Sequence, residues 1–180
     1  MSPKKTVSEL LAQDASDDSL ARYKASLLGG VASSSSTSSA KFPSDPRQVI
    51  FERVEIVAEG QQPIVMDIYD PNLKSKPFVL KEGVTFNPVL HFYVQHEIVS
   101  GLRFEIKIYK MGIKVDSSEE VIGSFAPSGA KAIVYKLPEE NAPTGFIGRG
   151  SYSAEAKLYD DDGKIHAQFA YSFEVKKTAS

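Results

Sequence analysis

The sequence predicts an all-β fold, an immunoglobulin-like antiparallel sandwich of two sheets, preceded by a flexible N-terminal arm with two short helices. Three observations carry this expectation. Beyond Gln48 apolar residues alternate with period two, the alternating runs are separated by Gly, Pro and Asp turns, and no helical pattern there is long enough for a crossover. The 180 residues, 42% hydrophobic and 24% charged, suit one main core with an appendage.

The arm is assigned to residues 1–47. Thr6 with Glu9 three positions later matches a capping box and opens a helix at about 7–14 through Val7, Leu10 and Leu11. A second helix at about 18–28 starts after Asp17-Asp18-Ser19, carries Leu20, Tyr23, Leu27 and Leu28, and stops at Gly29-Gly30. Isolated helices need about 12–15 residues to persist in water, so both segments require a partner for their apolar faces. Residues 31–47, with the run Ser33–Ser39 and then Pro43 and Pro46, read as a Ser-rich tether.

The sandwich is assigned to residues 48–180. Its first strands are expected at Val49–Ala58, Ile64–Ile68 and Phe78–Leu80. Val84, Phe86, Leu90, Phe92 and Val94 then share one strand face, although Pro88 interrupts that run and proline suits only an edge or a bulge. Leu102, Phe104, Ile106 and Ile108 repeat the pattern, followed by Val121–Phe125 and by Ile133, Tyr135 and Leu137. Tyr152, Ala154, Ala156 and Leu158 lead through Asp160-Asp161-Asp162-Gly163 into Ile165, Ala167, Phe169, Tyr171, Phe173 and Val175. Asp-Gly between alternating runs signals a hairpin, because glycine accepts the positive φ of tight turns.

A formal net charge of −2 argues against nucleic acid, and the absence of cysteine removes disulfides, thiolate nucleophiles and Cys-ligated metals. No run of 18 apolar residues and no signal-peptide pattern is present, which reads as a cytoplasmic protein without a transmembrane helix. The three histidines, His91, His96 and His166, lack metal-ligand spacing and read as solvated surface groups. Asp160–Asp162 lacks the alternating register of a calcium loop. Gly145–Gly150 has no following Gly-Lys-Ser/Thr and reads as a wide loop entering a strand. No nucleophile elbow is present, so neither an enzyme, a metal site nor a cofactor is expected. Phe169, Tyr171 and Phe173 face the small Ala154 and Ala156, a pairing that fits either a filled core or an apolar pocket between the sheets.

Several blocks in order carry a more specific signal. Phe78-Val79-Leu80-Lys81-Glu82-Gly83-Val84, His96-Glu97-Ile98-Val99-Ser100-Gly101-Leu102, Val121-Ile122-Gly123-Ser124-Phe125-Ala126-Pro127 and Arg149-Gly150-Ser151-Tyr152-Ser153 resemble the Rho GDP-dissociation inhibitor family. So do Met111–Asp116, Asp160–Asp162 and, in the arm, Asp17–Gly29. The resemblance implies an immunoglobulin-like domain that houses a geranylgeranyl group between its sheets. It also implies a non-enzymatic 1:1 partner of GDP-bound, prenylated Rho-family GTPases that slows GDP release and extracts them from membranes, with only transient, indirect membrane contact of its own. Asp17, Ser19, Tyr23, Leu27 and Leu28 resemble the family's switch-binding residues. Ile56, Phe78, Phe86, Ile98, Ile147, Phe169 and Tyr171 fall where the family lines its lipid cavity, with Ala154 on the facing strand in place of isoleucine. The family's Trp-x-Trp pair is replaced by Phe169 and Tyr171. Two other readings of the same sandwich are a general prenyl or acyl carrier, indifferent to the arm, and a protein-binding module with a filled core.

Overall fold

A computed structural model of the protein describes residues 40–178; both arm helices and the five arm residues fall outside them. The first sheet is built from β1 (Val49–Ala58), β2 (Ile64–Asp67), β4 (Thr85–Val94), β7 (Ile133–Lys136) and β8 (Glu140–Asn141). Its order is β2-β1-β4-β7, with β8 pairing the early part of β4. The second sheet is built from β3 (Phe78–Lys81), β5 (Val99–Lys110), β6 (Ile113–Phe125), β9 (Gly150–Tyr159) and β10 (Ile165–Lys176), ordered β3-β10-β9-β5-β6. All pairs among these strands are antiparallel except β3 with β10. The chain leaves the edge of the first sheet at β2 and joins the edge of the second at β3, which sets β3 running with β10. β6 begins eight residues earlier than the alternation predicts, because its outer half is exposed and the polar run Asp116–Glu120 separates Ile113 and Val115 from the pattern that starts at Val121.

Alternation puts the core between the layers. Val49, Phe51, Val54 and Ile56 from β1 and Leu90, Phe92 and Val94 from β4 are buried against Leu102, Phe104 and Ile106 of β5 and Phe169, Phe173 and Val175 of β10. Each such side chain contributes about 1.5–3 kcal/mol through burial. Pro88 sits inside β4, a central strand. Its carbonyl accepts from Leu137 N–H at 2.8 Å, so its missing N–H faces the break between β7 and β8, where no ladder bond is lost.

Other expectations need correction. Gly145–Gly148 is not a loop but a single helical turn, α1, closed by Arg149 N–H donating to Gly145 O at 3.1 Å. Residues 41–47, assigned to the tether, are held against the first sheet. Phe42 packs edge-on against Tyr93, Gln95 Nε2 donates to the Asp45 and Arg47 carbonyls at 2.8 and 2.9 Å, and Arg47 grips Asp45, whose carboxyl it lowers to about 2. Only His96 is a solvated histidine. His91 is buried because its strand is central and the residues paired with it, Arg53 and Val134, flank it on both sides; its Nε2 lies 3.2 Å from Glu55. His166 is half-buried as a residue, but its side chain is covered, with Nε2 2.7 Å from Asp160.

Asp160 organises the β9–β10 turn, accepting from Asp162 N–H and Lys164 N–H, both at 3.0 Å, as well as bonding His166. The next residue meets the start of β5. Asp161 N–H donates to Ser100 O, and Gly101, at φ +59°, leaves room for the Asp161 carboxyl that a Cβ would approach to 1.9 Å. Burial pushes the Asp160 carboxyl up, but its hydrogen bonds outweigh that and hold it below the ordinary 3.8. Its stabilisation is therefore present above pH 3.8 and lost as pH falls through the lowered folded value. Asp160→Asn should destabilise the sandwich by about 1.5–3 kcal/mol at pH 7 in urea unfolding, with the difference from the native chain shrinking below about pH 4.

Candidate functional site: an apolar cavity between the sheets

Aromatic rings bridge the two sheets at one end of the sandwich and not at the other. Phe51 of β1 stacks on Phe169 of β10 at 5.8 Å and meets Phe104 of β5 at 6.0 Å, while Phe92 of β4 meets Phe125 of β6 edge-on at 5.3 Å. Beyond Phe169 the rings stack along their own sheet instead: Phe78 on Tyr171 and Phe173 at 6.0 and 5.7 Å, and Phe173 on Tyr152 at 5.0 Å. Rings that stack sideways do not reach across, and a cavity of about 40 Å³ remains there.

The first sheet lines this cavity with Val54, Ile56, Met66, Phe86 and Pro88, and the second with Phe104, Ile106, Ile108, Phe169 and Tyr171; Phe78, Leu80 and Phe173 complete the wall. Beside it lies a wider groove of about 350 Å³, which shares Leu80, Phe86, Ile108, Glu140 and Phe173 and adds Lys110, Val115, Asp116 and Ile147. The shared side chains thus stand between the sheet interior and a groove that opens at the surface between the β5–β6 hairpin and α1.

Of the sequence-predicted pocket residues, the structure brings Ile56, Phe78, Phe86, Phe169 and Tyr171 together around the cavity, and puts Ile147 on the groove. Ile98 does not join them. It lies in the turn between β4 and β5, 57% exposed, because the adjacent Val99 takes the interior position. Ala154 is buried but lines neither space; its cross-strand partners Ile108 and Tyr171 do, since a methyl group ends short of the space its larger neighbours reach. Phe173, read from the sequence as sharing the face of Phe169 and Tyr171 but not as a pocket residue by resemblance, also lines the cavity, as do Ile106 and Ile108, which the alternation of β5 puts on the core-facing side with Phe104. Sequence reasoning had no signal for Glu140, which follows Pro138 in a two-residue strand.

Glu140 is the acidic group of the cavity wall. Burial pushes its carboxyl above the ordinary value, and the nearby Asp116 adds to the effect. Burial likewise raises the Tyr171 hydroxyl, with Glu140 contributing, so Tyr171 stays neutral across the physiological range. A wall of aliphatic and aromatic groups with one reluctant acid at its rim is suited to holding an apolar chain.

Residues 1–178 match the protein family described as RHO protein GDP dissociation inhibitor. Similar proteins include the Rho GDP-dissociation inhibitor of Saccharomyces cerevisiae, 38% identical over 98% of this chain and 89% of that protein. The Rho GDP-dissociation inhibitor 1 of Arabidopsis thaliana is 36% identical over 98% of this chain and 72% of its own length. The human Rho GDP-dissociation inhibitor 1 is 33% identical over 96% and 82% respectively.

Glu140 ionises at a cost in the folded state that the unfolded chain does not bear. The cost is absent below the ordinary glutamate value of 4.5, grows as pH rises above it, and is complete above the raised folded value. Glu140→Gln should therefore melt at a higher temperature than the native chain at pH 8, and the two curves should converge towards pH 4 in calorimetry.

Proposed function

The chain belongs to the Rho GDP-dissociation inhibitor family, a family of regulators rather than enzymes, and from that membership we propose how it acts. It binds the GDP-bound, prenylated form of a Rho-family GTPase one to one, slows GDP release, and withdraws the GTPase from membranes by taking its geranylgeranyl chain between the sheets. The observation that carries this reading is the apolar cavity where cross-sheet aromatic bridging stops, adjoining a surface groove with which it shares five side chains. No helix among the described residues is long and apolar enough to cross a membrane, and we place the carrier in the cytoplasm.

Magnitudes divide the work between two modules. A ligand pocket commonly has about 300–1,000 Å³, whereas the inner cavity has about 40 Å³, so a prenyl chain must spread the rings of β10 and β3 away from the first sheet. Each methylene is worth about 0.8 kcal/mol in either apolar medium, so moving the lipid from bilayer to protein gains little. Extraction then draws on a second contact, which the arm supplies. Asp17 and Ser19 hydrogen-bond the GTPase switch I segment, and Tyr23, Leu27 and Leu28 pack beside the switches and fold as they bind. The tether raises the effective concentration of whichever module has not yet engaged. By linkage, a complex that forms better on the GDP state opposes nucleotide release.

Pull-down of prenylated and unprenylated GTPase in both nucleotide states should recover the prenylated GDP form most strongly; equal recovery of the unprenylated form would overturn lipid housing. Asp17→Ala in the full chain should weaken the GTPase complex by about 1.5–3 kcal/mol, as expected for a charge-assisted interfacial bond. Titration with a fluorescent geranylgeranyl-cysteine peptide should give the native affinity. Equal losses for both ligands would argue that the chain is a general lipid carrier.

A further inference from the structure

The mouth of the groove is apolar on its outside as well as within. Met111 at the tip of the β5–β6 hairpin is 93% exposed, Phe146 on α1 is 89% exposed and Ile147 beside it 87%. Ile113 and Val115 of β6 are also exposed. The two elements share one rim, since Lys110, which immediately precedes Met111, donates from Nζ to the Ile147 carbonyl and to the Arg149 carbonyl at 2.7 Å.

This exposure is held in place. Gly145 N–H donates to Glu82 Oε2 at 3.1 Å, Arg149 Nε pairs with the same oxygen at 3.1 Å, and Tyr152 hydroxyl donates to Gly148 O at 2.6 Å. Met111 occupies a left-handed backbone position at φ 52°, a conformation that favours glycine or asparagine. A long thioether there, presented to water, has no part in the core. Most charge on this rim is committed or turned away: Lys110 is bonded to carbonyls, Arg149 to Glu82, Asp116 and Glu140 line the groove, and the exposed Lys114 alternates with Ile113 and Val115 and so points to the opposite face of β6. Held in place, apolar, and with cations and carboxylates both present rather than one sign in excess, the rim matches the headgroup–acyl boundary of a zwitterionic bilayer better than an anionic surface.

We propose that the rim formed by Met111, Ile113 and Phe146 seats directly on the bilayer, so that a lipid chain passes from membrane to groove without crossing water. This rests on the cavity being a prenyl site. It replaces indirect membrane contact with a docking step in which the protein's own side chains enter the interface, and α1 and the hairpin tip act as its two footings.

The chain contains no tryptophan, so Phe146→Trp gives a single reporter in the full-length protein. With phosphatidylcholine vesicles its emission should shift to the blue and be quenched by lipids brominated along the acyl chain. Ile98→Trp, just before the start of the 12-residue β5 and thus about 40 Å from the Met111 tip at its other end, should not respond. The double variant Met111→Ser, Phe146→Ser should release prenylated GDP-bound GTPase from the same vesicles about tenfold more slowly, with undiminished affinity for soluble geranylgeranyl-cysteine peptide. Unchanged emission together with native release rates would overturn the proposal. So would slow release accompanied by weaker binding to unprenylated GTPase in solution, which would make the rim a protein-binding face. Failure of the native chain to bind the soluble peptide would instead remove the cavity reading, whatever the reporter shows.

Discussion

The Phe51 ring stacked on Phe169 at 5.8 Å divides the sandwich into a closed half and one that can be spread. On one side of that contact the sheets are tied together by rings that reach across, Phe51 with Phe104 and Phe92 with Phe125. On the other side Phe78, Tyr171, Phe173 and Tyr152 spend their stacking on neighbours in the same sheet. Close packing normally fills an interior to crystal-like density. Here the fill is incomplete where cross-sheet bridging ends, and Phe169 serves both as the last bridge and as part of the cavity wall.

The position of that boundary explains how one domain can be both stable and receptive. The closed half includes Leu90, Phe92, Leu102 and Leu158, all fully buried, and the acidic β9–β10 turn is pinned to the start of β5 through Asp161 and Ser100. In the other half Phe78, Tyr171 and Phe173 are held by stacking within their own sheet, and Tyr152 also by its hydroxyl bond to Gly148 O, so widening as proposed would not require breaking backbone ladders. Its groove emerges beside α1, whose carbonyls are secured by Lys110 and whose first amide is secured by Glu82. Family membership supplies the chemical class of the occupant, and the packing supplies a route for it.

Much of this fold was legible in the sequence. β1 runs over Val49–Ala58 as the alternation predicts, and β2, β3 and the β9–β10 hairpin lie within two residues of expectation, because a half-buried strand writes its two faces into alternate positions. The outer half of β6 escaped the alternation because the polar run Asp116–Glu120 interrupts it. The histidines misled for a related reason: the outward face of a central strand is covered by its neighbours, so His91 is buried without being part of the core. The choice between filled core and pocket could not be made from periodicity, since Phe169 and Tyr171 share a face and differ in whether a ring from the other sheet meets them. Ile98 was chosen by resemblance alone and lies in a turn. Glu140 escaped notice because a two-residue strand has no pattern to read.

The most direct test of the cavity account is a set of intermolecular NOEs between a geranylgeranyl-cysteine peptide and the methyl groups of the full-length protein. The account predicts contacts from the prenyl chain to Met66, Leu80 and Ile106, which are buried in the unliganded protein and come from three strands on both sheets. Contacts confined to exposed methyls such as those of Met111 and Ile113, or to Ile98 at the opposite end, at saturating peptide would contradict it.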